Sequence, residues 1–221
     1  MGLSLPAPID FASGRVFGPF ALVDNDSNLM ASAEHRNFWP EEDHFFFLKA
    51  GTGIGSGILI GGEFFRGARG TAGDVGYVQL DASPLPLCRC GKLACLEAYA
   101  SGWAMARDLC AQGFAAQRAR DVLDLLGRNT PEAIHLVRVA GRCLGEVAAQ
   151  VVSVLNPNRI VVGGSMAQAE AYLLPGVREL ISQRCLPLAT RQLAIEMARL
   201  GDRAGALGAA QLVIDEPLCR R

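Results

Sequence analysis

The sequence lacks the features that mark several classes of protein. Only 19% of its 221 residues are charged, and the formal net charge is −1. Without a basic patch there is no electrostatic signature of nucleic-acid binding. No segment offers the about 18 consecutive apolar residues that a membrane-spanning helix needs. The N-terminus does not join a basic stretch to an apolar one, so we expect no secretory signal.

Cysteine is present, but not in the pattern of a disulfide scaffold. The sequence has seven cysteines, an odd number, and Cys88, Cys90 and Cys95 cluster while the others are scattered. This distribution favours a reduced, cytoplasmic protein with one metal site.

Hydrophobic residues make up half of the sequence, which is enough for a sizeable core. The pattern predicts strands over 2–9, 20–23, 45–50, 58–60, 77–80, 159–162 and 193–200. It predicts helices over 29–38, 96–110, 131–155 and 168–185, and a last helix that runs through Ile214. Strands that alternate with helices indicate an α/β fold.

Two glycine turns follow predicted strands. Residues 51–57 read GTGIGSG, and Gly163-Gly164 follows the strand at 159–162. Glycines there allow backbone N–H groups to approach a phosphate, and the hydroxyl of Thr52 adds a donor. Tight strand-to-helix or hairpin turns explain the same residues without a ligand. Asp24-Asn25-Asp26 is equally ambiguous, because it fits either a helix N-cap or a carboxylate that accepts a proton from a substrate hydroxyl.

The cysteine cluster offers three thiolates with the spacing of a zinc site. The alternative is three buried thiols. A fourth ligand is not evident, since the histidines of the sequence are His35, His44 and His135, far from the cluster along the chain.

Taken together, these motifs resemble the ROK family of repressors and sugar kinases, which includes bacterial glucokinases. The resemblance runs from about Leu3 to Leu212. It is most specific in GTGIGSGILIGGEFFRGARGTAGDVGYVQLD and CRCGKLACLEAYASG, with support from LNPNRIVVGG and LGDRAGALGAA.

The resemblance implies an actin-like ATPase (ribonuclease H-like) fold of two lobes with an interlobe cleft. It implies a remnant of the N-terminal lobe over residues 1–40 and a C-terminal lobe with the cysteine motif over residues 41–221. It also implies ATP and Mg²⁺, a sugar substrate, a structural Zn²⁺, and a homodimer or larger homo-oligomer.

Each residue role is likewise implied by the resemblance. Asp26 matches the catalytic base. The sugar contacts implied are Asn25, Asp74, Tyr77 and Glu97. The ATP contacts implied are Gly51, Thr52, Gly53, Gly163 and Gly164. The zinc ligands implied are Cys88, Cys90 and Cys95.

The sequence departs from the family pattern in three places. The first phosphate motif, D-x-G-G-T, is missing, which implies an incomplete N-terminal lobe and impaired activity. Phe17-Gly18-Pro19 runs almost directly into the strand at 20–23, where the family has a longer segment. Tyr77 stands where the family has a histidine that binds both zinc and sugar, and Asp74 replaces a glutamate.

Two functions stay open. The first is an ATP-dependent hexose or aminosugar kinase of glucokinase type. The second is a non-catalytic sugar-sensing regulator or degenerate paralogue. DNA contact through this chain is not expected, because it shows neither a helix-turn-helix segment nor a basic patch.

Overall fold

The computed structural model describes residues 2–5 and 22–215. The strands are β1 (Gly2–Leu5), β2 (Leu22–Asn25), β3 (Phe45–Ala50), β4 (Ile54–Ile60), β5 (Glu63–Phe64), β6 (Arg159–Gly163) and β7 (Ala194–Met197). The helices are α1 (Asp26–Phe38), α2 (Leu96–Ala100), α3 (Gly102–Ala111), α4 (Ala119–Gly127), α5 (Pro131–Leu155), α6 (Glu170–Arg184), α7 (Pro187–Thr190) and α8 (Ala204–Asp215). Short 3₁₀ turns lie at Val75–Tyr77, Ser165–Ala169 and Gly201–Arg203.

The main sheet of the described chain has five strands in the order β5-β4-β3-β6-β7. Strand β3 pairs with β6 in parallel and with β4 antiparallel, while β6 and β7 are parallel. Strands β1 and β2 form a separate parallel pair. The predicted α/β class is confirmed.

Both faces of β3 are buried, and its residues alternate between them. Phe46 and Leu48 belong to the large core that includes α5 and α6. Phe45 and Phe47 pack on the opposite side with Ala31 of α1. A central strand covered on both faces reads as a continuous hydrophobic run, which is why FFFLKA was recognisable as one.

Several predicted elements are confirmed with small boundary shifts. Helix α5 has the predicted bounds. Strand β4 begins at Ile54 rather than at residue 58, so the glycine turn is shorter than expected. Strand β1 ends at Leu5; the rest of the predicted strand and Phe17-Gly18-Pro19 lie outside the described residues.

Two predicted elements are wrong. The predicted single helix over 96–110 is broken at Ser101, whose backbone is extended and whose hydroxyl caps α3 by accepting from the N–H of Ala104. The predicted strand over 77–80 is a 3₁₀ turn followed by an isolated bridge between Gln79 and Cys95. Helix α4 was not predicted. No helix in the described residues is long and apolar enough to cross a membrane.

Candidate active site

The first turn of α1 presents the predicted base. Asn25 is the N-cap, and its side-chain oxygen accepts from the backbone N–H of Ser27 at 2.8 Å. Asp26 is the first helical residue, and its Oδ1 accepts from the hydroxyl of Ser27 at 3.2 Å. The capping and catalytic interpretations of this segment are therefore compatible, because the cap residue and the candidate base are neighbours.

The strand before this turn is held by a buried carboxylate. Asp24 is 5% exposed and pairs with Arg66 at 2.6 Å. Its other oxygen accepts from the side chain of Asn28 at 3.0 Å and from the backbone N–H of Asn25 at 2.8 Å. A buried charge needs such partners, and here they fix the direction in which the chain leaves β2.

The turn between β3 and β4 is bound to the start of α3. The carbonyl of Gly51 accepts from the N–H of Gly102 at 2.8 Å, and that of Thr52 accepts from the N–H of Trp103 at 3.3 Å. A Cβ on Gly102 would lie 2.4 Å from the Cβ of Ala119, so only glycine permits this approach.

Glu97 lies across this turn. Its Oε2 accepts from the N–H of Ile54 at 3.0 Å, and its Oε1 accepts from the indole N–H of Trp103 at 3.2 Å. A Cβ on Gly53 would approach Oε2 to 2.8 Å. The predicted sugar-contacting glutamate and the predicted phosphate turn therefore touch, although they are far apart in sequence.

Asp74 and Tyr77 flank the 3₁₀ turn at the same opening. Burial raises the pKa of the Asp74 carboxyl. Burial, together with the negative charges of Glu97 and Asp74, raises the pKa of the Tyr77 hydroxyl. Tyr77 is therefore a neutral phenol at neutral pH, able to donate a hydrogen bond.

The turn after β6 faces the glycine turn from the other side. Gly164 has φ +90°, and a Cβ there would lie 2.4 Å from the carbonyl oxygen of Ala50. Ser165 follows and lines the same opening. Gly163 does not line it; its Cβ position is blocked by the ring of Phe47 at 2.4 Å.

These elements surround one cleft of about 660 Å³. The predicted residues that line it are Asn25, Asp26, Gly51, Thr52, Gly53, Asp74, Tyr77, Glu97 and Gly164. It is also lined by Ile54 and Gly55 of the glycine turn, and by residues with no role predicted from the sequence: Ser27, Met30, Lys49, Arg89, Ser165, Gly201, Asp202 and Gly205. A single lysine in the hydrophobic run FFFLKA was the signal that could have identified Lys49.

The three cysteines lie beside the cleft rather than in it. Their sulfur atoms are all within 4.8 Å of one another, and those of Cys90 and Cys95 are 3.6 Å apart. Tetrahedral zinc thiolates are separated by about 3.8 Å, so the cluster fits a zinc ion. Burial raises the pKa of Cys88 and raises that of Cys95 to about 12, whereas a hydrogen bond from the Lys92 backbone lowers the pKa of Cys90.

Arg89 connects the cysteine loop, residues 88–95, to the cleft. Its guanidinium stacks 4.4 Å from the ring centroid of Trp103, which also binds Glu97. Arg107 lies 5.1 Å from the centroid of the same ring. The loop is thus tied to the cleft by an aromatic ring that contacts two cations.

Comparison with known proteins identifies the family. The solved structures that this chain resembles include sugar kinases of the actin-like ATPase fold: the ROK hexokinase from Thermus thermophilus superposes with a TM-score of 0.79 at 32% identity, over 95% of this chain and 76% of that one. The model of the ROK family matches residues 16–216. The chain belongs to the ROK family.

Its curated relatives include both regulators and kinases. The chain is 30% identical to a putative xylose repressor of Caldicellulosiruptor over 91% of its length, and 28% identical to a glucokinase of Halalkalibacterium halodurans over 87%. It spans 54% and 63% of those two proteins. It is 32% identical to an N-acetylmannosamine kinase of Salmonella heidelberg over 99% of its length, spanning 73% of that protein.

Proposed function

We propose that this chain carries the cleft of an ATP-dependent sugar kinase that acts on a hexose or aminosugar. The observation that carries the proposal is the position of Asp26. Its carboxylate opens into the same cleft as two glycine turns and the side chains of Asp74 and Glu97. A carboxylate base beside a glycine turn whose backbone a phosphate can approach fits phosphoryl transfer to a hydroxyl.

The sugar would bind between the start of α1 and the cysteine loop. Asp74 and Glu97 accept from sugar hydroxyls, while Tyr77 as a neutral phenol donates to one. Asn25 contacts a hydroxyl beside the reacting one. Asp26 accepts the proton of the reacting sugar hydroxyl while the oxygen of that hydroxyl attacks the γ-phosphorus. The electron pair of the broken P–O bond leaves with ADP.

ATP would lie along the two glycine turns. The backbone at Gly51, Thr52 and Gly53 would face its phosphates, and the turn at Gly164 would lie on the adenosine side. Mg²⁺ bound with the nucleotide would neutralise part of its charge. Binding and alignment of the two substrates provide much of the rate enhancement in such a site.

We further propose one zinc ion per chain, held by Cys88, Cys90 and Cys95. Bound zinc would cross-link the loop that carries Arg89 and would fix the start of α2, where Glu97 lies. With three thiolates rather than four protein ligands, the affinity should be below that of a Cys₃His site. Metal analysis of the purified protein tests this: no zinc, with all three thiols freely reactive, would contradict it.

The kinase proposal is tested by ADP formation from Mg-ATP. The sugars are glucose, mannose, N-acetylglucosamine, N-acetylmannosamine and fructose. We expect turnover that depends on one of them and disappears in Asp26→Asn. Absence of turnover with every sugar, in folded protein, would refute it.

The second candidate is a sugar-sensing regulator without turnover. It is favoured by the similarity to a putative xylose repressor and by Tyr77 in place of the expected histidine. Calorimetric titration of sugar together with the ADP assay separates the two, because a sensor binds sugar but transfers no phosphoryl group from ATP to it.

Two further proposals concern organisation. We propose the division into residues 1–40 and 41–221, although α1 packs against β4 and α8 from the second part; limited proteolysis tests it. We also propose a homodimer or larger oligomer, which light scattering at micromolar concentration tests, since a monomeric mass would exclude it.

A further inference from the structure

Lys49 is a charged residue in a strand that is otherwise hydrophobic. Because side chains alternate along a strand, Lys49 shares a face with Phe45 and Phe47, which pack toward α1. It is the residue of that face nearest the carboxyl end of β3. Its side chain therefore points to the start of α1, where Asp26 lies, and is only 16% exposed.

The Lys49 ammonium donates to Oδ2 of Asp26. The other oxygen, Oδ1, accepts from the Ser27 hydroxyl. An ionised carboxylate has about four acceptor positions and an ammonium has three donors. This pair therefore leaves acceptor capacity on Asp26 for a substrate hydroxyl and donor capacity on Lys49 for another anion.

The aliphatic part of the Lys49 side chain also reaches the glycine turn between β3 and β4. A Cβ built on Gly51 would lie 3.7 Å from Cε of Lys49 and 3.5 Å from Oγ of Ser165. The lysine, the serine hydroxyl and the Gly51 backbone thus converge on one small region. Lys49 lies between the base and the glycine turns, where the reacting atoms of the proposed kinase must meet.

The charges that line the cleft indicate a role for Lys49 in binding an anion. Its acidic lining residues are Asp26, Asp74, Glu97 and Asp202. The cationic lining residues among those described are Lys49 and Arg89, and Arg89 is stacked on Trp103 beside the cysteine loop. A phosphate chain entering this acidic cleft needs a positive group near the base, and Lys49 is placed there.

We propose that Lys49 is a second catalytic residue, whose ammonium contacts both Asp26 and the oxygens of the transferred phosphoryl group; this inference rests on the proposed kinase function. The sugar oxygen forms the new bond to phosphorus, its proton passes to Asp26, and ADP leaves with the electron pair. Lys49 keeps its protons throughout. It neutralises the phosphoryl oxygens and holds them next to the base.

The test uses the scarcity of lysine in this chain, whose 221 residues include two, Lys49 and Lys92. Lys92 is exposed in the cysteine loop and does not line the cleft. Lys49→Met keeps the length of the stem without the charge, Lys49→Arg keeps the charge, and Lys92→Met is the matched control. Circular dichroism and thermal unfolding verify that each variant is folded.

Calorimetric titration of Mg-ATP, Mg-ADP and sugar is the binding measurement. We expect Lys49→Met to lower ATP affinity about tenfold, as loss of one charge-assisted contact does, with ADP and sugar affinities nearly unchanged. Lys49→Arg should retain most of the ATP affinity, and Lys92→Met all of it. Equal ATP affinity in Lys49→Met and wild type would overturn the inference, and so would equal losses for ATP and ADP.

Turnover gives the second readout. We expect Lys49→Met to lower kcat by roughly 10²-fold, similar to the loss of one transition-state donor, and Lys49→Arg to lose less. An unchanged or higher kcat in Lys49→Met would mean that the ion pair only masks Asp26, and would overturn the inference. If wild type binds no ATP, the kinase proposal itself fails. If wild type binds ATP but Lys49→Met is indistinguishable from it, the inference alone fails.

Discussion

The two ends of the cleft are built differently. The end that carries Asp26 and Lys49 is formed by the last residues of β2 and β3 and the first turn of α1, so regular hydrogen bonding and a packed core hold it. The end that carries Asp74 and Tyr77, with the cysteines beside it, is formed by a long irregular segment with a 3₁₀ turn and isolated bridges. The first end is held by regular secondary structure, whereas at the second end the proposed zinc ion would supply a local cross-link.

The largest expected effect is at the base. Replacing Asp26 by Asn removes the proposed proton acceptor, and we expect kcat to fall by about 10²–10⁴-fold, the usual contribution of a general base. Asparagine preserves the size of the side chain, so sugar affinity should change little. Steady-state kinetics with direct sugar titration measures both, and a variant with more than half of wild-type kcat would exclude Asp26 as the base.

The packing beneath the base gives the next effect. A Cβ on Gly57 of β4 would lie 2.4 Å from the Cβ of Ala31 and 3.1 Å from the carbonyl oxygen of Ser27. The methyl group added by Gly57→Ala should therefore push α1 away from the sheet and lower the free energy of unfolding by about 1–3 kcal/mol.

Gly127→Ala is the control for Gly57→Ala, since a Cβ at Gly127 meets nothing within 4 Å. We expect its stability to stay within about 0.5 kcal/mol of wild type. Urea unfolding of both variants makes the comparison. Equal stabilities would show that the contact between α1 and β4 yields more readily than its geometry implies.

The cysteine end should respond to loss of metal rather than to packing. Cys95 is fully buried and directly precedes α2, which carries Glu97. Cys95→Ser should lower zinc content and reduce sugar affinity roughly tenfold, as loss of ordered contacts to charged groups does, with ATP affinity kept. Cys110→Ser, at an exposed cysteine outside the cluster, is the control. Unchanged sugar affinity in zinc-free Cys95→Ser would show that the zinc ion does not support sugar binding.

The smallest effect is a pH dependence of sugar binding. Burial raises the pKa of Asp74, so the carboxyl takes up a proton at a pH where an ordinary aspartate is still ionised, and sugar affinity should fall there. A carboxyl whose pKa is higher in the folded than in the unfolded state raises the free energy of unfolding as pH falls. Protonation of Asp74 therefore does not unfold the protein, and the loss of sugar affinity must arise at the binding site. Titrations across pH should show a weaker acid decline in Asp74→Asn, and an identical profile would dismiss Asp74 as the titrating group.

Local patterns predicted the regular elements well. The 3.6-residue period of α5 and Pro131 in its first turn determined the bounds of that helix. The long segment between β5 and α2 was less predictable, because a short apolar run such as 77–80 forms a strand only when a partner strand is available. Ser101 ended a helix that periodicity alone would have continued, since its side chain offered the backbone another hydrogen bond.

The sequence by itself determined the α/β class, the two glycine turns and the cysteine cluster, because each is a local pattern of residue types, whereas Asp26 was proposed as the base only through the resemblance to the family. The tertiary structure alone placed Lys49 on Asp26, Arg66 on Asp24 and Arg89 over Trp103. Such pairs depend on charges and rings that meet through space across strands and loops. No local sequence pattern encodes these contacts, so only the folded chain reveals which carboxylate or ring each cation meets.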